Sequence, residues 1–104
     1  MNKILVITDE ARADLRGIYE HIAKDSLAQA QAFVADLSNK IVWIAEVNFT
    51  GSPRDYIFPK LRAHPYRGRT IYYLNEEKRI VILGVLHQAR DVQPEMFEGR
   101  QRGI

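Results

Sequence analysis

The stretch RTIYYLNEEKRIVILGVLHQARD, Arg69 to Asp91, decides the fold. Arg69–Asn75 and Arg79–His87 are rich in β-branched and aromatic side chains, and the charged residues Glu76 to Lys78 lie between them. Two such runs around a short polar break read as a β-hairpin followed by a tail. Side chains alternate across a strand. Setting Leu74 opposite Arg79 therefore puts Thr70, Tyr72, Leu74, Val81, Leu83, Val85 and His87 on one face. Ile71, Tyr73, Ile80, Ile82, Gly84 and Leu86 take the other. Both faces are mostly apolar, so each needs cover. One layer of helices serves one face; a partner, the C-terminal tail or water meets the second.

Upstream, KLRAH alternates, with Leu61 and Ala63 on one side and Arg62 and His64 on the other. Asn48–Pro59 is broken by Gly51, Pro53 and Pro59 and reads as a loop. Before it, Leu27, Ala30, Phe33, Val34, Leu37, Ile41 and Ile44 recur at helical spacing, opened by Ser26 and Gln29 as a capping box and ending near Val47–Asn48. Ala11, Leu15, Ile18, Tyr19 and Ile22 mark an earlier helix, capped by Thr8 or Asp9. Gly17 weakens that helix unless its small size allows close packing. KILVIT, Lys3 to Thr8, reads as a short strand that pairs with Arg69–Asn75 or lies at an edge. The fold class is α+β: an N-terminal strand, an antiparallel α-hairpin, then about three antiparallel strands forming a small sheet packed on the hairpin. A chain of 104 residues corresponds to one domain, 1–104, by size.

The chain has no cysteine, which removes disulfides, thiol catalysis and thiolate metal sites and suits a cytoplasmic location. The apolar run Ile4–Ile7 is too short for a signal peptide or a membrane span, so no membrane association is expected. Net charge is only +2, but residues 54–79 hold seven Lys/Arg against three Asp/Glu, an excess of +4. That segment reads as a solvated face or as one that meets nucleic acid or an acidic protein surface.

His21, His64 and His87 lack metal-ligand spacing, and neither a nucleophile elbow nor a phosphate-binding glycine loop is present. No metal and no cofactor is expected. Metal-free RNA cleavage needs a base, an acid and cations around the phosphorane, and Arg62, Arg69 and His87 supply suitable types. The alternative is structural. His87, with Arg90 and Asp91, closes the strand where backbone groups need new partners, the imidazole donating to a carbonyl and Asp91 accepting from backbone N–H groups or Arg90. The turn so fixed aims Val92–Phe97 back across the sheet.

The order of elements, with LRAHPYRGRTIYYLNEEKRIVILGVLHQARD and above all VILGVLHQARD, resembles the ParE branch of the RelE/ParE toxin superfamily. The resemblance implies the toxin half of a type II toxin–antitoxin pair that inhibits DNA gyrase by binding, without being an enzyme. It further implies neutralisation by a ParD-like ribbon-helix-helix antitoxin, through which alone operator DNA would be contacted. The alternatives are a RelE-type ribosome-dependent mRNA endonuclease and a degenerate, non-toxic antitoxin-binding protein. On this reading the target meets Arg62, Arg67, Arg69 and Arg90, and the antitoxin meets Leu15, Tyr19, Trp43, Tyr72 and Leu83.

Overall fold

A computed structural model describes residues 3–100. The elements are β1 (Ile4–Ile7), α1 (Asp9–Ala23), α2 (Leu27–Val47), β2 (Ser52–Pro53), β3 (Leu61–Tyr66), β4 (Arg69–Asn75) and β5 (Arg79–His87), followed by a 3₁₀ turn at Pro94–Met96. The local signals account for the helix ends. Thr8 Oγ1 accepts the Ala11 N–H at 3.2 Å and donates to the Ile82 carbonyl at 2.8 Å, so one buried hydroxyl caps α1 and ties it to β5. Ser26 Oγ accepts the Gln29 N–H at 3.1 Å. The Ser26 N–H is taken by the Ile22 carbonyl, so the capping box closes on one side only. Asn48 ends α2 in the left-handed conformation. A Cβ built on Gly17 meets nothing within 4 Å, so close packing does not explain that glycine.

The sheet has five strands in the order β1-β5-β4-β3-β2 and is mixed. The α+β class holds, and the expected three antiparallel strands are β3, β4 and β5; what differs is a parallel first strand and one extra short strand. β1 does lie at an edge, but it pairs parallel with β5, Ile4 to Ile7 against Arg79 to Ile82. The loop after α2 contributes β2, two residues paired with Ala63 and Arg62 of β3.

The hairpin register also differs. Leu74 faces Val81 where Arg79 was expected, because the Glu76 N–H bonds to the Arg79 carbonyl and tightens the turn. An offset of two residues leaves the faces unchanged. A bulge does not: Tyr73 faces Ile82 but Tyr72 faces Gly84, so Leu83 is an extra residue. Beyond it Val85 turns to the helix side and Leu86 to the opposite side, the reverse of simple alternation.

Two cores result. Ile18, Leu37, Ile41, Ile44, Ile71, Tyr73, Ile80, Ile82 and Val85 form one between helices and sheet. On the far face Leu61, Tyr72, Leu74, Val81, Leu83 and Leu86 pack under Phe97, with Val92 and Met96 beside it. Phe97 is fully buried, its ring 5.2 Å from Tyr72 and 6.4 Å from Phe58. The second apolar face is thus closed by the chain's own C-terminal segment. Arg100 holds that segment down: Nε donates to the Met96 carbonyl, and Nη1 donates to the Leu83 carbonyl at 3.0 Å and to Asp14 Oδ2 at 2.8 Å. Asp14 also accepts the Val85 N–H at 3.0 Å, so side chains satisfy β5 where β1 has ended.

Candidate functional site

β4 and β5 set Arg69 directly opposite His87. Where they meet the middle of α1, a shallow groove of about 310 Å³ is lined by Asp14, Gly17, His21, Arg69, His87 and Arg90, among others. His87 is exposed at the end of β5, and its Nδ1 accepts the Ala89 N–H at 3.1 Å. The Arg90 N–H bonds to the His87 carbonyl and the Gln88 N–H to the Gly68 carbonyl, which turns the chain out of the sheet. His87 therefore closes the strand as an acceptor, where a donor had been expected. Because Nδ1 accepts, the neutral ring carries its proton on Nε2. Asp91 accepts from the Gln93 side-chain amide at 2.9 Å, and no Arg90–Asp91 ion pair forms.

The basic residues separate into three settings. Arg62 lies in another groove, with Thr50, Asp55, Lys60 and Asn75. It faces Tyr73, toward the opposite end of β4 from Arg69, so the trio Arg62, Arg69 and His87 is not brought together. Arg67 is paired with Asp36 at 2.8 Å and stacks over Phe33 at 4.7 Å. Asp36 also accepts the Tyr66 hydroxyl at 3.0 Å, and the Arg67 and Tyr66 bonds hold its carboxyl below the usual carboxylate range. The same bond to Asp36 raises Tyr66. Arg69 has its guanidinium 5.9 Å from Phe33, and its Nε is buried without a hydrogen-bond partner among the described residues.

A fourth cluster joins α2 to β3. His64, expected on a solvent face, sits 4.9 Å from Phe49, 6.1 Å from Trp43 and 6.2 Å from Tyr66 between ring centroids, and Lys40 caps Trp43 at 4.2 Å. Burial, and then the Lys40 charge, hold His64 below its ordinary value.

Of the residues expected at an antitoxin surface, Leu15, Tyr19 and Trp43 are half-buried. Tyr72 is 7 % exposed and Leu83 0 %, both beneath the C-terminal segment, so neither offers a free surface in this structure. Reading the sequence missed Asp14, His21 and Arg100. The first two had a signal: with Gly17 they recur at spacings of three and four on α1. Arg100 had none, since Asp14 and Leu83, the partners that tie it to the helix and the sheet, are distant in the chain. No helix of the described residues is long and apolar enough to cross a membrane, and no cluster of three His, Cys, Asp or Glu among them is placed to hold a metal ion.

The family described as "ParE toxin of type II toxin-antitoxin system, parDE" matches residues 5–92. The chain belongs to that family of toxins of type II toxin–antitoxin systems. A solved structure titled "Chromosomal ParDE TA system from P. aeruginosa" is similar in fold, with a TM-score of 0.71 and 24 % identity over 82 % of this chain and 95 % of that one. No curated protein matches.

Proposed function

We propose that this toxin arrests DNA gyrase by binding it in the bacterial cytoplasm, does not cut RNA, and is neutralised by a ParD-like ribbon-helix-helix antitoxin. Family membership across residues 5–92 is the observation that carries this reading. Two geometric facts support binding over cleavage. Arg62 stands apart from Arg69 and His87, in a separate groove. His87 Nδ1 is engaged by the Ala89 N–H, so while that bond holds, the neutral ring keeps its proton on Nε2 and offers no lone pair as a general base. The target surface in this proposal comprises Arg62, Arg67, Arg69 and Arg90. The antitoxin surface comprises Leu15, Tyr19 and Trp43, with Tyr72 and Leu83 reached only by displacing the C-terminal segment.

The test is induction in a bacterium without the antitoxin, with DNA and RNA examined separately. DNA breaks and an SOS response are expected. Cuts in translated mRNA instead would transfer the assignment to the endonuclease reading, and normal growth despite soluble expression to the degenerate one. Hydrogen exchange with and without the antitoxin maps the second surface; unchanged exchange throughout α1 and α2 sinks that part.

A further inference from the structure

We propose that the groove between α1 and the end of β5 is an oxyanion site that takes a phosphate dianion, either free or as the phosphomonoester of a nucleotide. This goes beyond the toxin reading and does not depend on it.

Arg69 and His87 occupy directly opposing positions, so their side chains leave the sheet on one face. Arg69 lines the groove and has no carboxylate partner among the described residues, and its Nε is buried without an acceptor, so no group among the described residues neutralises this guanidinium. Arg67, Arg79 and Arg100 each have a carboxylate partner, whereas neither Arg69 nor Arg90 makes an ion pair among the described residues. The groove's one carboxylate, Asp14, is already engaged by the Val85 N–H and by Arg100. His87 adds an Nε2–H donor, fixed by the bond its other nitrogen accepts. His21, one turn beyond Gly17, adds a second imidazole. Gly17 keeps the wall open, with nothing within 4 Å of the place a Cβ would take. Two guanidiniums without counter-ions exceed the charge of one carboxylate and match a dianion, and the guanidinium fork pairs well with phosphate oxygens. The larger groove, about 540 Å³ near the β4–β5 turn, offers no such field, because Lys60 there is offset by Glu76 and Glu77.

The test is a titration of backbone amide resonances of the full chain at constant ionic strength and about pH 8, where phosphate is mostly dianionic. Inorganic phosphate is added first, then a nucleoside monophosphate, then acetate. Phosphate is expected to move the amides of Ala13–His21 and Val85–Arg90 saturably, and acetate at equal concentration is not. Tighter binding of the nucleoside monophosphate would identify the nucleotide as the source; equal binding would identify free phosphate. Arg69→Gln and Arg90→Gln should each weaken binding about tenfold or more, as expected for loss of a charged hydrogen-bond donor. Arg90 is exposed, so its replacement does not disturb the fold. Lys78→Gln, at the other end of β5, should change nothing. Equal saturation by acetate would make the groove a carboxylate site for an acidic peptide and overturn the proposal. So would the absence of saturable shifts, or unchanged affinity in Arg90→Gln.

Discussion

Replacing Phe97 with alanine asks whether the C-terminal segment is part of the fold. The ring is fully buried between Tyr72 and Phe58 and shares its cluster with Leu83 and Leu86. Losing the transfer free energy of the side chain accounts for about 2–3 kcal/mol. The cavity adds to that, and buried Phe→Ala changes cost about 3–5 kcal/mol in all. Phe97 belongs to a short surface segment that can settle into the space, which places the expected loss near the low end, about 3 kcal/mol. Against a total of roughly 5–15 kcal/mol for a domain, this is a large fraction. Urea unfolding should show a lower midpoint with a nearly unchanged slope. A loss below about 1 kcal/mol, the range of surface substitutions, would mean that Phe97 is not seated and that Tyr72 and Leu83 face a partner after all.

Gly51→Ala should destabilise by about 2 kcal/mol or more, because its backbone is left-handed and a Cβ would stand 2.4 Å from Tyr73 Oη, itself bonded to the Phe49 carbonyl; thermal melting checks this. Burial and then the Lys40 charge hold His64 below its ordinary value in the fold, so as pH falls through the ordinary imidazole range the unfolded chain binds the proton first and stability falls; His64→Gln should flatten the unfolding midpoint against pH between neutral and acid. Gly17→Ala should raise stability by roughly 0.5–1 kcal/mol in urea unfolding, since the site is helical, exposed and free of neighbours.

What could be read from residues alone was local. Thr8 and Ser26 announce helix starts, Asn48 a helix end, and the two apolar runs a hairpin, because each signal lies within a few positions of its effect. What escaped depends on distant partners. Nothing in KILVIT specifies β5 as its neighbour, and Ser52–Pro53 is too short to carry a pattern. The bulge at Leu83 is hinted at by the following glycine but not fixed by it. Its consequence is concrete: the expected register puts Arg69 opposite Gly84, whereas the turn and the bulge together bring it opposite His87. The groove was therefore present in the sequence as residue types but not as a constellation. The double-sided apolar pattern showed that the far face needs cover but left a partner, the C-terminal tail or water open, and the Asp14–Arg100 bond that holds the covering segment spans the chain and left no local trace.

On the function proposed above, the chain inhibits gyrase by binding. The most direct test is DNA supercoiling by purified gyrase in the presence of the purified toxin, run beside mRNA under translation. The parent and His87→Gln are both expected to arrest supercoiling and leave mRNA intact, while replacing Arg62 and Arg69 together is expected to relieve the arrest. Gyrase running unimpeded while ribosome-bound mRNA is cut, with cutting abolished by His87→Gln, would contradict the proposed function.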